Sequence, residues 1–313
     1  MTKTILITGV NGFAGGHLAA HLLKENHHVI GIGTQATSRI SGLATYYCGD
    51  LMQSAWIADA IARIRPDEIY HLAGLKSVRS SLKDSDTTFA VNVGGTENLF
   101  EAVRKARINT RILVVSSNLV YAQSDNPLVE TSAVAPKSPY AQSKYAAENC
   151  ALKYHHDWSF DCIIARPFNH IGPGQPSDTI PSGYAYRIAS LENKIDTAPL
   201  RVGLMTLQKD YIDVRDVVQA YATLMQTGKS GDIYNICNGK AYSFGAFIDT
   251  LNTLSPTHPE IIFDEAYVRV SEPPVVIGSH DKITRQTGWE PHYDILTQSL
   301  PDLLSSWRTA LKL

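Results

Sequence analysis

Apolar residues along this chain fall into short runs that alternate with stretches of helical spacing. Thr4–Thr8 is a run short enough to be a buried strand. Residues 15–25 then repeat apolar positions at Leu18, Leu22 and Leu23, the spacing of one helix face. The alternation continues, predicting strands at residues 28–32, 46–48, 68–72, 111–116 and 161–166 and helices at 54–64, 88–106 and 140–156. In the 54–64 helix, Trp56, Ile57, Ala60 and Ile61 share a face. Continuously apolar strands separated by helices call for a parallel sheet covered on both faces. The pattern predicts an α/β fold: a Rossmann-type, doubly wound parallel sheet.

After Arg166 the rhythm breaks. Residues 168–182 contain Gly172-Pro173-Gly174, Pro176 and Pro181, which is loop chemistry. Beyond them lie short strands at 210–214 and 233–236 and helices at 217–226, 244–254 and 296–311. The expected division is a dinucleotide-binding part over residues 1–167 and a smaller α/β substrate-binding part over 168–313. Elements near 210–238 are expected to return to the first sheet.

Composition narrows the class. A length of 313 residues suits two such parts. With 28 basic and 30 acidic residues, net charge is −2 and the signs are mixed, so no basic stripe points to nucleic acid. The four cysteines form no C-x-x-C pair, which argues against zinc and dithiol chemistry and for a reducing compartment. His17, His21, His27, His28, His155 and His156 have no carboxylate cluster among them, so no metal is expected. Neither a signal-peptide core nor an apolar run of membrane-spanning length is seen, which makes the cytoplasm the default location.

Candidate chemistry begins at Thr8-Gly9-Val10-Asn11-Gly12-Phe13-Ala14-Gly15, between the first strand and the first helix. Glycines there allow a tight turn and close approach of a pyrophosphate, which the helix N-terminus favours. NAD enzymes usually end the second strand on an acid that binds the ribose 2′-OH. Here that place is Gly33, followed by Thr34, Ser38 and Arg39, so NADP(H) is favoured, with NAD(H) as the alternative. Tyr140 and Lys144, four apart at the start of a helix, share one face. The lysine's charge is expected to lower the phenol's pKa, and the phenol can then exchange a proton with a substrate oxygen as hydride moves at the adjacent carbon.

G-x-x-G-x-x-G spacing with Gly12-Phe13-x-Gly15 resembles the extended short-chain dehydrogenases/reductases. Nearly the whole chain follows that resemblance. Asp50-Leu51 resembles the family's adenine-contacting pair, and Leu72-Ala73-Gly74 its loop lining the cofactor. Asn92 resembles its structural asparagine. Ser116-Ser117-Asn118-Leu119-Val120-Tyr121 resembles the S-S-x-x-V-Y segment. The resemblance implies a catalytic triad of Ser117, Tyr140 and Lys144. It adds Lys76, Ser116 and Pro167 to the cofactor residues. Arg166 through Gln175 resembles a segment of the nucleotide-sugar branch, above all of its GDP-4-keto-6-deoxyhexose reductases, with the GDP-mannose 4,6-dehydratases as relatives. On the substrate side it implies Ser117, Asn118, Tyr121, Asn169, Lys209, Arg269 and Glu272, with Lys209 standing where the family often has Arg.

The dehydratases carry a Glu two residues after the catalytic Ser/Thr. Leu119 occupies that position here and cannot act as a base. The expected activity is reduction of the C4 keto group of a GDP-4-keto-6-deoxy sugar. The alternatives are a 4-epimerase, a 4,6-dehydratase and a non-catalytic dinucleotide-binding sensor. The helices near residues 89–106 and 140–156 resemble those that form a four-helix dimer interface, so a homodimer is expected.

Overall fold

The computed structural model describes residues 2–76, 78–267 and 275–312. In chain order the first strands are β1 (Thr4–Thr8), β2 (His28–Gly33), β3 (Thr45–Cys48), β4 (Glu68–His71), β5 (Arg111–Val115) and β6 (Cys162–Pro167). The later ones are β7 (Asn169–Ile171), β8 (Leu200–Val202), β9 (Gln208–Asp213), β10 (Ile233–Ile236), β11 (Ala241–Ser243), β12 (Ile261–Phe263) and β13 (Val275–Val276). Seven of them form a parallel sheet in the order β10-β6-β5-β4-β1-β2-β3. The order reverses between β1 and β4, and in such sheets ligands bind at that switch point, beyond the carboxyl ends of the strands.

Strand alternation sorts the core into two layers. Ile5 and Ile7 of β1 face Leu18 and Leu22 of the helix Phe13–Lys24 and Val217, Tyr221 and Leu224 of the helix Val214–Thr227. Leu6 faces the other way, into a core with Ile57 and Ile61, Leu99, Phe100 and Val103, and Ala151 and Tyr154. Those groups come from the helices Ser54–Ile64, Gly95–Ala106 and Pro139–Trp158.

The structure corrects the expected elements in three places. The single helix predicted over 88–106 is two: Ser85–Phe89 and Gly95–Ala106 are joined by a widened π turn at Ala90–Gly94, around the buried side chain of Asn92. The predicted loop 168–182 contains β7, and the helix Ile180–Glu192 begins inside it with a proline in its first turn. The last helix is regular only over Leu300–Leu311, after a π turn at Ile295–Ser299.

A smaller second layer packs Ile171, Ile188, Phe247, Ile248, Leu251, Leu303 and Leu304 into a core of their own. β9 pairs with β7, β11 and β13, and β8 pairs with β12, all outside the central sheet. β10 and the helix Val214–Thr227 belong to the large sheet and its core. One buried carboxylate joins these parts. Asp210, on β9, accepts the backbone N–H groups of Asn238 and Gly239 at 2.9 Å and of Gly278 at 3.1 Å. An amide side chain offers one acceptor oxygen in place of two, and an unmet buried donor costs about 1–3 kcal/mol. Asp210→Asn is therefore expected to lower unfolding free energy by about 1–3 kcal/mol, and Asp210→Ala by more, as read by urea denaturation.

Candidate active site

The loop after β1 is shaped by close backbone packing. Gly9 has φ +73°, and a Cβ there would lie 2.8 Å from the nitrogen of Ala73. A Cβ on Gly15 would lie 2.3 Å from the carbonyl oxygen of Gly9, so the first helix sits directly on the turn. Gly12 is the N-cap of that helix, and no side chain caps it. A helix start with open N–H groups and no Cβ in the way fits a dinucleotide pyrophosphate. Phe13 and Ala14 form the first turn of the helix.

Beneath this loop a chain of hydrogen bonds crosses the sheet. The Ala73 N–H donates to Thr8 Oγ1 (3.2 Å), which is 2.8 Å from His71 Nδ1. His71 Nε2 is 3.0 Å from Thr96 Oγ1, which itself donates to the Asn92 carbonyl (2.7 Å). Because the Thr96 proton is committed to that carbonyl, His71 must donate from Nε2 and accept at Nδ1. Burial, reinforced by the charge of Lys144, pushes His71 down to about 3, so it stays neutral. Asn92 then closes the other side. Its Oδ1 accepts from Leu75 N (2.8 Å), and its Nδ2 donates to the Leu75 carbonyl (3.2 Å) and to Ser143 Oγ (2.9 Å).

The structure brings Ser117, Tyr140 and Lys144 together at the mouth of this crevice. Ser117 follows β5 and caps the short turn Asn118–Val120, accepting from Leu119 N at 3.2 Å. Its hydroxyl lies close enough to the Tyr140 phenol to pull that phenol's pKa down. Tyr140 and Lys144 lie on the first turns of the helix Pro139–Trp158, which Ser138 caps. Lys144 is buried, 3.9 Å from where a Cβ on Gly74 would stand, and burial lowers it to about 8 against the opposing pull of Glu148. One expectation is corrected. Burial raises the Tyr140 phenol and the Ser117 hydroxyl opposes this only in part, so the phenol stays above its ordinary value and is not tuned toward neutrality. Loss of water around the phenolate is the dominant effect there.

Two groups missed in the sequence hold the catalytic helix. Ser81 is fully buried at the end of the short helix Val78–Ser81 after β4, and its Oγ accepts the backbone N–H of Tyr140 itself at 3.1 Å. Glu148 forms a buried pair with Arg166 of β6, at 2.9 Å to Nε and 2.6 Å to Nη2. Ser116 donates to the same carboxylate. Glu148 could have been found from its place four residues after Lys144 on the buried helix face. Ser81 carries no signal in a single sequence, since its partner is 59 residues away.

Other expected contacts fall differently. Tyr121 is nearly buried: its hydroxyl donates to Asn235 Oδ1 (2.6 Å) and its ring lies under the Arg166 guanidinium, 4.8 Å from ring centroid to carbon. Asn118 is buried, and Leu51 packs into the core. Asp50 accepts from Met52 N at 2.9 Å. Lys76 is more than half exposed and pairs with Asp178 (3.8 Å). Pro167 ends β6. Asn169 Nδ2 donates to the Asp210 carbonyl (2.9 Å). Lys209 lies half-buried on β9 between β11 and β13. Arg269 and Glu272 lie outside the described residues. Thr34 and Arg39 flank an exposed shelf after β2. Among the described residues, no group of three or more His, Cys, Asp or Glu could hold a metal, and no helix is long and apolar enough to cross a membrane.

The model of the family described as GDP-mannose 4,6 dehydratase matches residues 6–298. The chain belongs to this family. It is an extended short-chain dehydrogenase/reductase, an NAD(P)-dependent enzyme. It is 33% identical over 315 residues to the GDP-6-deoxy-D-mannose reductase of Pseudomonas aeruginosa, covering 100% of this chain and 99% of that one. It is 32% identical over 249 residues to the UDP-glucose 4-epimerase of Mycolicibacterium smegmatis, covering 75% of this chain and 77% of the relative. Among solved structures, that of RMD from Pseudomonas aeruginosa complexed with NADPH superposes with a TM-score of 0.88 at 32% identity, over 98% of this chain and 99% of the other.

Within this family site, breaking the buried pair should be worse than deleting it. Glu148→Ala strands a buried guanidinium and is expected to cost about 3–5 kcal/mol in urea unfolding. Glu148→Leu combined with Arg166→Met is expected to recover most of that loss.

Proposed function

We propose that this enzyme reduces the C4 keto group of a GDP-4-keto-6-deoxy sugar, with NADPH as reductant. The observation that carries this is the pairing of a phenol held protonated by burial with a leucine at the dehydratase's base position. Leu119, 43% exposed, stands two residues after Ser117. A ketone reduction consumes a proton and needs no base at C5, whereas a dehydration needs one. The full-length likeness to a GDP-6-deoxy-D-mannose reductase supports the same substrate.

Bound NADPH would supply the hydride to C4. The residues of the chain do the rest. Ser117 hydrogen-bonds the C4 oxygen and orients it toward Tyr140. As C4 takes the hydride, the carbonyl π pair becomes an alkoxide, and the Tyr140 O–H gives it a proton. Lys144, charged below about pH 8, stabilises the phenolate left behind. On the substrate side, Asn169 and Lys209 are the candidates for the sugar and its diphosphate. The outer faces of the helices Gly95–Ala106 and Pro139–Trp158 form the proposed homodimer interface, and the enzyme works in the cytoplasm.

The 32% identity to an epimerase favours one second reading, C4 epimerisation of an intact nucleotide sugar. Cofactor turnover separates the two. With GDP-4-keto-6-deoxy-mannose and NADPH, absorbance of the reduced nicotinamide should fall stoichiometrically with product. Tyr140→Phe should lower kcat by about 10²–10⁴-fold. The wild-type rate should hold on the acid side and fall as pH rises through about 8, where Lys144 loses its proton. No loss of absorbance would reject the reductase assignment.

A further inference from the structure

The place of the missing acid after β2 is not empty. Gly33 pairs with Cys48 across β2 and β3, and the Tyr46 side chain, two residues earlier on β3, reaches over to it. A Cβ on Gly33 would lie 2.9 Å from the Tyr46 hydroxyl. That hydroxyl donates to the Gln35 carbonyl at 2.6 Å and lies 3.3 Å from Asn11 Nδ2. Asn11 belongs to the glycine loop, and its amide gathers the segment after β2. Its Oδ1 accepts from Ser38 Oγ (3.0 Å) and Arg39 N (3.2 Å), while its Nδ2 also reaches Gln35 Oε1 (3.0 Å) and the Thr37 carbonyl (3.2 Å). Two amide hydrogens are shared among three acceptors, so the whole shelf is tied to one side chain. Arg39, at its end, is exposed, and no hydrogen bond or ion pair of its guanidinium is found among the described residues.

We propose that Tyr46 and Asn11 form a specificity clamp, which fills the place of an NAD-type acid and holds residues 34–39 as a shelf for the 2′-phosphate of NADP(H). The inference rests on the NADPH assignment above and deepens it. The argument is steric first. A side chain at 33 would meet the Tyr46 hydroxyl at 2.9 Å, so an Asp there requires the tyrosine ring to swing aside and give up its bonds to Gln35 and Asn11. It is electrostatic second. With no acid beside it, Arg39 supplies an uncompensated cation suited to a phosphate dianion. Attachment of the Arg39 backbone to the glycine loop keeps the base of that side chain near the pyrophosphate site, which reduces the ordering cost of a free loop.

The test measures dissociation constants for NADPH and NADH by quenching of tryptophan fluorescence, without turnover. Wild type is expected to prefer NADPH. Tyr46→Phe removes only the hydroxyl and should cut the preference about tenfold, through NADPH alone. Arg39→Ala, on an exposed side chain, should do the same without altering thermal unfolding. Gly33→Asp should weaken both cofactors in wild type, but should raise NADH affinity when combined with Tyr46→Ala. A Tyr46→Phe variant that changes both constants equally, or neither, overturns the clamp while leaving the NADPH assignment standing. A wild type that binds NADH as tightly as NADPH overturns both.

Discussion

Everything in the site hangs on where the helix Pro139–Trp158 sits, and a buried ion pair fixes it there. Glu148 and Arg166 are almost completely hidden from solvent, and each takes two polar contacts from the other. Such a pair gains little net stability, because stripping water from both ions offsets their attraction. What it supplies is position. It locks the middle of the helix to β6, and through Ser116 it locks the end of β5 as well. The two strand ends and the helix that bear Ser117, Tyr140 and Lys144 are thereby one rigid piece. The pair is also neutral as a unit, so Lys144, one turn away, remains the unbalanced charge of the crevice.

A second set of contacts ties this piece to the cofactor loops. The π turn at Ala90–Gly94 turns Asn92 inward, where one amide holds the Leu75 backbone and Ser143 at once. Ser81 holds the Tyr140 N–H, which the first turn of a helix leaves without a partner. The neutral His71 bridges Thr8 and Thr96 below. A charged imidazole there would face Lys144 across a dry interior. Burial and that charge act in the same direction, and the histidine serves as a hydrogen-bond relay with a fixed tautomer.

The parts of this arrangement that repeat locally were legible in the sequence. Strand runs, helix faces, the glycine turn and the Tyr140–Lys144 spacing are short-range patterns, and the structure places them as expected. The β4–β5 connection was misjudged because a π turn leaves the same hydrophobic periodicity as a helix to within one residue. β7 was hidden because three residues between Gly- and Pro-rich neighbours give no period. The packing of Tyr121 was not legible because its partners, Arg166 and Asn235, are 45 and 114 residues away. Ser81 and Tyr46 were invisible for the same reason. A side chain's partner across the sheet cannot be inferred from one chain's periodicity.

The protons available at the site limit the chemistry it can do. Reduction or oxidation at C4 needs one acid–base group at one oxygen, and Tyr140 with Ser117 supplies it. Elimination across C5 and C6 needs another base, and among the described residues His71, His170 and Lys144 do not offer one. His71 has both nitrogens committed. His170 donates from Nδ1 to the Phe168 carbonyl and is pushed down to about 4 by burial, which makes its remaining nitrogen a poor base. Lys144 keeps its proton below about pH 8. Leu119 presents hydrocarbon where a carboxylate would have to stand. Among the described residues, a fold shared with dehydratases therefore carries acid–base groups suited to a single C4 oxygen. The reaction class follows from those groups rather than from the fold.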